Sequence, residues 1–272
     1  AAMKQTPDEL REHFEIEREL ADRLRSASKE ERRRLYGVVY EERSRRIPHH
    51  PLVRAAADAE TRARDVAPQV RLIRRFVRST DAFLELGAGD AAVAVGVAPF
   101  VARATAVDVT DALVPGEGLP PNFEFHVFDG FELPLADGSV DFAYSNDVVE
   151  HLHPDDVRDH LRAVHRALRP GGRYLCVTPN RLSGPHDVSR HFATTPQGFH
   201  LCEYTAGELA DALRAAGFRS AGTVSSVSGY AADRIPGLAA ARALERGIEA
   251  LPPRFRRPAA RWLAAVKVVG RA

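Results

Sequence analysis

A glycine-rich turn is the first segment whose residue types and spacing suggest chemistry. Glu85-Leu86-Gly87-Ala88-Gly89-Asp90 follows a short apolar run and precedes a stretch of small residues. Glycine lets the backbone turn sharply there and lets a ligand approach without meeting a Cβ atom. Asp108 ends the next apolar run, nineteen residues beyond Gly89, where a carboxylate can accept two hydrogen bonds from a ribose diol. This layout predicts a site for an adenosine-containing cofactor.

Two cofactor classes fit a turn of this kind. Gly87-x-Gly89-x-x-Ala92 also satisfies the loose pattern of nicotinamide dinucleotide sites, so a dehydrogenase is an open alternative. Glu85 argues against it, because dinucleotide sites usually keep that position apolar. Three further segments help to discriminate: Phe128-Asp129-Gly130, the run from Leu133 to Asp141, and Leu168-Arg169-Pro170-Gly171-Gly172.

Strands that alternate with helices position these segments. Apolar runs predict strands at residues 82–86, 103–108, 123–128, 140–145 and 173–178, with helices at 91–101 and 155–168. Such alternation is typical of βαβ units and of a parallel sheet covered on both faces. Later in the chain we predict a helix from Thr205 to Gly217, a sixth strand within 219–227, helices at about 236–250 and 258–264, and a last strand at 265–269.

The first eighty residues are predicted to be all helical. Thr6 with Glu9 and Ser28 with Glu31 have the spacing of capping boxes, which predicts two helix starts. Pro48 should end the second helix, and Pro68 should separate a helix at 52–67 from another at 69–78. We therefore expect residues 4–80 to form a helical cap or lid. Residues 81–272 should form the cofactor-binding domain, with a helical insertion at about 231–264.

In order and spacing, these segments resemble class I S-adenosylmethionine-dependent methyltransferases, in the branch that includes the ubiquinone and menaquinone methylases. The resemblance covers residues 81–178 and, more weakly, His200-Leu201-Cys202-Glu203-Tyr204-Thr205. Ala91 departs from it, because many relatives have a third glycine there. The resemblance implies an α/β fold with a Rossmann-like, seven-stranded sheet whose last strand is antiparallel. Around it we expect an N-terminal helical extension and a helical insertion between strands six and seven.

The resemblance also implies a set of residues that bind S-adenosylmethionine. It places Glu85, Gly87, Ala88 and Gly89 beside the methionine end of this cofactor. It places Asp108 and Val109 at the ribose, Asp129 and Gly130 at the adenine, and Asn146 on the cofactor face after the fourth strand. Tyr36 and Tyr40, with His49 and His50, could close over the cofactor as a lid.

Histidines are the candidate bases, because an oxygen acceptor must lose a proton when it is methylated. The long aperiodic stretch at 179–203 follows the fifth strand and contains His186 and His191, with Asp187 as a residue that could orient them. His151 is a third candidate base, whereas His200 is expected to be structural. Arg181 and Arg190 could hold an anionic acceptor.

A metal site is the weaker interpretation of one segment. Asp147-Val148-Val149-Glu150-His151 resembles the metal-binding cluster of ubiquinone-type O-methyltransferases. Asp147, Glu150 and His151 could hold Mg²⁺ and lower the pKa of an acceptor hydroxyl. The same Glu-His pair also occurs in relatives without a metal, so we expect no metal here.

Composition narrows the function classes. Hydrophobic residues at 44% and charged residues at 28% indicate a globular protein, and the net charge of +1 argues against a nucleic-acid binder. Cys176 and Cys202 have no zinc spacing, and no apolar run is long enough for a membrane span, so we expect a cytoplasmic protein. The oligomeric state is left open.

We expect an enzyme that methylates a hydroxyl of a small metabolite, of natural-product or sugar type, as in secondary metabolism. The alternatives are an N- or C-methyltransferase, an NAD-dependent dehydrogenase, and an inactive partner protein that binds S-adenosylmethionine.

Overall fold

The computed structural model describes residues 5–50, 59–224, 226–227, 230–231, 237–263 and 265–272. Eight helices occur in these ranges: α1 Pro7–Ser26, α2 Lys29–Arg46, α3 Ala59–Ile73, α4 Ala92–Val97, α5 Pro154–Ala167, α6 Ala206–Ala215, α7 Leu238–Glu249 and α8 Pro253–Ala260. Single 3-10 turns lie at Ala98–Phe100, Val149–His151 and Val188–His191. Across the described ranges, no helix combines the length and the apolar character that a membrane crossing requires.

A seven-stranded sheet forms the centre of the fold. The strands in chain order are β1 Ala82–Leu86, β2 Arg103–Asp108, β3 Phe123–Val127, β4 Val140–Asn146, β5 Leu168–Pro179, β6 Ser220–Thr223, β7 Ser226–Val227, β8 Tyr230–Ala231 and β9 Ala265–Arg271. β7 and β8 pair separately, and the sheet has the order β3-β2-β1-β4-β5-β9-β6, with β9 antiparallel to its neighbours β5 and β6. The predicted sheet, with its antiparallel last strand, is confirmed. This order differs from the 3-2-1-4-5-6 arrangement of dinucleotide-binding folds, in which the strands are parallel.

The first strands form at apolar runs because both faces of the sheet are covered. Four of the five residues of β1 and four of the six residues of β2 are buried, as expected for central parallel strands. β1 lies between β2 and β4, with Leu86 opposite Val107 on one side and Ser145 on the other. Residues that directly follow β1, β2 and β4 therefore lie at one edge of the sheet.

The N-terminal helices share the core of the sheet. Both predicted capping boxes are present, with Glu9 N donating to Thr6 Oγ1 and Glu31 N donating to Ser28 Oγ. One apolar cluster includes side chains of α1 (Ile16, Leu20, Leu24), of α2 (Tyr36, Val39), of β1 (Leu84, Leu86) and of α5 (Leu161, Val164). The described helices within residues 4–80 thus pack on the sheet, and the domain boundary at residue 80 stays a prediction.

Predicted element boundaries were wrong at α3 and at β5. The helix α3 continues through Pro68, although proline removes a backbone donor. Leu72 and Ile73 lie beyond this proline and are buried against the sheet, so packing holds the helix together. The strand β5 begins at Leu168, before the Pro-Gly-Gly segment that we expected to precede it. The sixth strand lies within 219–227 as predicted, at Ser220–Thr223, and β7 and β8 pair with each other outside the main sheet.

Parts of several predicted segments lie outside the described residues. They include residue 4 of the predicted cap, residues 52–58 of the predicted helix at 52–67, residue 225 in the range of the predicted sixth strand, and residues 232–236 and 264 of the predicted insertion.

Candidate cofactor and acceptor cavity

The carboxyl ends of the parallel strands open into a cavity of about 750 Å³. Segments that follow four strands line it: Gly87 to Asp90 after β1, Val109 and Thr110 after β2, Phe128 and Gly130 after β3, and Asp147 and Val148 after β4. The edge of a sheet where strand order changes direction is the usual ligand site in open α/β folds. The N-terminal helices and the loop at residues 180–205, between β5 and α6, contribute further walls.

Glu85 fixes the glycine-rich turn from inside the protein. Its Oε2 accepts a hydrogen bond of 2.7 Å from the backbone N–H of Ala94, in the first turns of α4. The side chain is buried, and burial raises the pKa of Glu85 to about 8. This carboxyl group therefore carries a proton at neutral pH.

The turn itself depends on left-handed backbone conformations. Gly87 has φ of +64°, and a Cβ atom there would collide with Cγ2 of Val148. Ala91, where many relatives have a third glycine, adopts φ of +56° and is fully buried. This left-handed conformation costs an L-residue roughly 1–2 kcal/mol. With alanine in place of glycine at position 91, the chain therefore keeps the same turn and bears the backbone strain.

Asp108 lies at the end of β2 and lines the cavity. Its Oδ2 accepts from the N–H of Gly89 at 2.7 Å, and its Oδ1 accepts from the N–H of Val109 at 2.6 Å. Burial raises the pKa of Asp108, although these backbone bonds act in the opposite direction. An ionised carboxylate has about four acceptor positions, so Asp108 can bind a diol while it holds the turn.

Of the two residues that we expected at the adenine, one lines the cavity. Phe128 and Gly130 are lining residues, whereas Asp129 is not. Its Oδ1 accepts from the N–H groups of Phe131 and Glu132, and its Oδ2 pairs with Arg33 at 3.2 Å. The carboxylate shapes the turn instead, so the structure does not support its predicted place at the adenine.

The fourth strand delivers Asn146 and Asp147 to the cavity. Asn146 Nδ2 donates to Asp147 Oδ2 at 2.7 Å. Asp147 has φ of +56°, a conformation that aspartate tolerates better than most residues. Both polar groups therefore stand at the strand end, as predicted for Asn146.

Helix α2 covers the side of the cavity next to the end of β2. Tyr36 and Tyr40 both line it, and a Cβ atom at Gly37 would lie 3.1 Å from the carbonyl oxygen of Val109. The hydroxyl of Tyr36 donates to Asp156 at 3.0 Å and accepts from the N–H of His153 at 2.8 Å. Because its hydroxyl is engaged in this way, Tyr36 offers its ring to a ligand.

A buried ion pair anchors this helix. Arg32 donates to Asp156 through Nε at 2.6 Å and through Nη2 at 2.7 Å. The two side chains are 4% and 1% exposed. Because Asp156 is in the first turn of α5, this bidentate pair fixes α2 above the sheet edge.

A network of acids and histidines lies behind the ends of β4 and β5. Thr178 Oγ1 donates to Glu150 at 2.8 Å, and His200 pairs with Glu203 at 2.7 Å. Burial and the neighbouring Asp147 raise the pKa of Glu150 to about 8. Burial lowers the pKa of His200, whereas the hydrogen bond to Glu203 raises it. The net shift of this pKa is upward.

The possible metal ligands in this network differ from the predicted set. Ligand atoms of Glu150, His151 and His200 lie within 4.8 Å of one another, so His200 takes the place that we assigned to Asp147. The Nδ1 atom of His151 lies 2.9 Å from the carbonyl oxygen of Phe199. Burial lowers the pKa of His151 to about 3, so its ring is neutral.

The loop at 180–205 brings two predicted bases to the cavity. His186 and His191 both line it. The oxygens of Asp187, predicted to orient them, instead accept from the N–H groups of Ser189 and Gly198, both at 3.0 Å. His186 Nε2 lies 3.1 Å from the carbonyl oxygen of Asn180. With Nε2 as the donor, the free lone pair of His186 is on Nδ1.

Only one of the two arginines predicted to hold an anionic acceptor lines the cavity. Arg190 lines the cavity, with its Nε 3.1 Å from His191 Nε2. Arg181 is not a lining residue, and it pairs with Glu208 at 2.8 Å and Glu249 at 2.6 Å.

Only one of the two histidines predicted to belong to the lid lines the cavity. His49 has Nε2 3.2 Å from the carbonyl oxygen of Glu9 and does not line the cavity, whereas His50 does.

Sequence reasoning missed several cavity residues from the N-terminal helices, among them His13, Glu17 and Arg43. Arg43 stacks on the rings of Tyr40 and Phe199, with 4.9 and 5.1 Å to the ring centroids. Burial by itself raises the pKa of Glu17, but the side chains of His13 and His50 and the charge of Arg43 hold it well below its usual range. The one available signal was that His13 and Glu17 share a helix face with the apolar stripe of α1.

The arrangement suits transfer chemistry on an enclosed small molecule. The strand ends supply two carboxyl groups and a glycine turn for a nucleoside, and the helices and loop supply histidines and arginines. Because all of these groups line one cavity, a cofactor and an acceptor could meet inside it.

Known proteins with similar sequences contain methyltransferase domains. A family model described as a methyltransferase domain matches residues 40–221, which is more than half of the chain. A protein of Mycolicibacterium smegmatis, described as a probable S-adenosylmethionine-dependent methyltransferase, is 35% identical over 136 residues. The aligned part is 50% of this chain and 51% of that protein. The chain therefore spans about half the length of the curated relatives it matches.

Solved structures share the fold at lower identity. A Haloferax volcanii methyltransferase, solved in complex with the Trm112 methyltransferase activator, is similar with a TM-score of 0.56 and 20% identity, over 80% of this chain and 92% of that chain. Burkholderia thailandensis 1,6-didemethyltoxoflavin-N1-methyltransferase, solved with 1,6-didemethyltoxoflavin and S-adenosylhomocysteine, has a TM-score of 0.51 and 21% identity, over 81% and 84%. At these identities the likeness concerns the fold alone.

Proposed function

The chain belongs to the S-adenosylmethionine-dependent methyltransferase family, and from this premise we propose that it methylates a hydroxyl group of a small, enclosed metabolite. The observation that carries the proposal is the shared cavity. The strand ends that would bind the cofactor and the histidines and arginines of the helices and loop line one cavity of about 750 Å³. This size is typical of small-molecule sites.

The residues present fit the cofactor. At Gly89 a Cβ atom would meet no heavy atom within 4 Å, so the glycine turn leaves open space for the cofactor there. Asp108 would hold the ribose hydroxyls, and Glu85, Ala88 and Gly89 would lie near the methionine end. S-adenosylmethionine supplies a methyl group on a positively charged sulfur. The buried carboxyl group of Glu85, whose pKa burial raises to about 8, can lose its proton when that charge is bound.

The contributions of Val109, Gly130, Asn146 and Tyr36 to this site are also proposals. Val109 and Gly130 follow neighbouring strands and would flank the adenosine. Asn146 would face it from β4, and the ring of Tyr36 would cover it from α2.

The chain's own residues would align the acceptor and take up its proton. Direct displacement needs the attacking oxygen in line with the transferred methyl group, with water excluded. We place the proton on His186 Nδ1 or on His191, because both rings line the cavity. His151 is the weaker base, since burial lowers its pKa to about 3. Arg190 and Arg43 supply positive charge for an anionic acceptor.

Helices α1 and α2, which we call the helical roof, are an argument for an acceptor that the protein encloses. Both helices share the core of the sheet, so in our proposal they form a fixed cover over the cavity. Arg25 of α1 donates to the carbonyl oxygens of Gln197 and Gly198, at 3.1 and 3.2 Å, and so joins the roof to the loop at 180–205. An inactive partner protein would not need such an enclosed space.

Release of S-adenosylhomocysteine during turnover tests the proposal. Phenols, sugars and hydroxy acids are compared with matched amines as acceptors. We expect turnover with hydroxyl compounds that rises with pH and is lost in the double variant His186→Ala/His191→Ala. The variant His49→Ala is the matched control, because this ring does not line the cavity. Full turnover of amines by the double variant would indicate nitrogen transfer and contradict the proposed acceptor.

A further inference from the structure

A second constellation in the cavity wall is made of His13, Glu17 and His50. His13 and Glu17 are one turn apart in α1, and His50 follows the end of α2. The three residues are 5%, 3% and 8% exposed, and all three line the cavity. The methyl transfer proposed above gives them no role. They lie far in sequence from Glu150 and His151, the segment that resembles a family metal cluster.

Two of the three distances within this group are close to those between adjacent ligands of one metal ion. Glu17 Oε1 lies 3.1 Å from His13 Nε2 and 3.5 Å from His50 Nε2. The three ligand atoms lie within 4.8 Å of one another. Bonds of about 2.0–2.1 Å in a tetrahedral site separate adjacent ligand atoms by about 3.3 Å. Small shifts of the histidine rings would therefore complete three corners of such a site.

The neighbours of His13 permit a ligand form of its ring. The side-chain amide of Gln5 lies at His13 Nδ1, with its nitrogen at 3.1 Å and its oxygen at 3.2 Å. When Nδ1–H donates to that oxygen, Nε2 carries the lone pair, as in metal-bound histidines that are oriented by a second residue. Nε2 is buried and has no partner in hydrogen-bonding geometry within the described part of the chain.

A cation would also relieve the resulting contact between acceptors. In this tautomer the lone pair of His13 Nε2 and the carboxylate oxygen of Glu17 stand 3.1 Å apart. Two acceptors at this distance repel each other unless a proton or a metal ion lies between them. The other oxygen of Glu17 is 3.4 Å from the backbone nitrogen of Phe199, which donates to it, and this bond directs Oε1 towards the histidines.

The charge around the group indicates what would fill the remaining corner. Arg43 lies 3.8 Å from Glu17 Oε1, so a divalent ion would share this region with a second positive charge. One carboxylate offsets only part of that charge. An anionic oxygen from the cavity side would balance the rest, and a deprotonated hydroxyl supplies one.

We propose that His13, Glu17 and His50 form a site for a divalent transition-metal ion of the Zn²⁺ class, with its open position towards the cavity. Two imidazoles and one carboxylate suit such ions better than Mg²⁺ or Ca²⁺. In the reaction, the ion would bind the acceptor oxygen and lower the pKa of its hydroxyl, with the proton passing to solvent or a cavity histidine. This last step rests on the proposed function, but the metal site does not.

Titration of metal-free protein with Co²⁺ tests the site directly. We expect one equivalent of Co²⁺ to bind with visible absorption typical of low coordination, and Zn²⁺ to displace it. Glu17→Gln should weaken binding by more than about 100-fold, since loss even of an outer-shell partner costs 10–100-fold. The control variants are His49→Ala, next to the site, and Glu150→Gln, in the other candidate cluster. Both should bind Co²⁺ as the unaltered protein does.

Several results would overturn the proposal. These are absence of Co²⁺ binding by the unaltered protein, unchanged binding by Glu17→Gln, or loss of binding in Glu150→Gln alone. Thermal unfolding of each variant shows whether that variant is folded. If a variant is not folded, the titration of the unaltered protein still shows whether the chain binds Co²⁺. Calorimetry with S-adenosylhomocysteine on the same samples separates this outcome from a failure of the proposed function.

Discussion

Replacement of Arg32 by methionine should destabilise the protein far more than replacement of an exposed arginine in the same helix. Arg32 and Asp156 form a bidentate pair at 2.6 and 2.7 Å, with both side chains almost fully buried. Methionine fills a similar volume but removes the positive charge, and the hydroxyl of Tyr36 at 3.0 Å then remains as a neutral donor to Asp156. Breaking one side of a buried pair typically costs about 3–5 kcal/mol.

The matched control is Arg34→Met. Arg34 is two residues further along α2 and pairs with Glu30 at 3.5 Å, with side chains that are 82% and 81% exposed. An exposed pair of this spacing contributes only about 0.3–0.5 kcal/mol. The two variants therefore make the same chemical change on one helix in buried and exposed surroundings.

Urea denaturation followed by circular dichroism measures the free energy of unfolding of each protein. We expect Arg32→Met to lose several times more stability than Arg34→Met. Adding Asp156→Asn to Arg32→Met should recover part of the loss, because it removes the uncompensated charge. If the loss in Arg32→Met is as small as in Arg34→Met, the pair does not anchor α2 as we argue.

Three further predictions test the glycine-rich turn. Gly87→Ala should reduce the free energy of unfolding by about 2–4 kcal/mol, because of its positive φ and the clash with Val148; urea denaturation equal to that of the unaltered protein would exclude the strain. Ala91→Gly should change stability by less than about 1 kcal/mol, because relief of the left-handed conformation offsets the lost methyl group. Ala94→Gly in the following helix should reduce the free energy of unfolding clearly more than Ala91→Gly does. Equal losses in the two variants would contradict this expectation. Glu85 keeps its proton in the folded state up to a pKa of about 8, against 4.5 in its usual form, so stability should fall as pH rises from 5 to 8. Glu85→Gln should flatten that fall in denaturation series at several pH values, and an identical slope would refute the assignment.

The sheet could be predicted from the sequence because its signals are local. Short apolar runs with glycine or proline at their ends mark buried strands, and the carboxyl ends of parallel strands meet at one edge. For this reason the positions of Glu85, Gly87 and Asp108 in the chain were enough to place them together. The antiparallel last strand followed from the family resemblance that the same segments carry.

Other features depend on packing that local patterns do not encode. Pro68 has the signature of a helix break, but buried neighbours beyond it keep α3 continuous. Asp129 and Arg181 have the right chemistry for ligands, yet each finds closer partners, Arg33 in one case and Glu208 with Glu249 in the other.

The N-terminal part of the cavity was the least predictable. His13 and Glu17 belong to a stripe that is typical of ordinary helix packing. Their position depends on α1 crossing over the loop at 180–205, a contact between segments that are separated by 172 residues at Arg25 and Gln197. No periodicity within α1 specifies which loop it meets.

Calorimetric titration with S-adenosylhomocysteine is the most direct test of the cavity as a cofactor site. We predict one binding site per chain, and affinity that falls about 5- to 150-fold in Asp108→Ala, as expected for loss of about 1–3 kcal/mol from paired hydrogen bonds. Binding of NAD by the unaltered protein, with no heat from S-adenosylhomocysteine, would contradict the account.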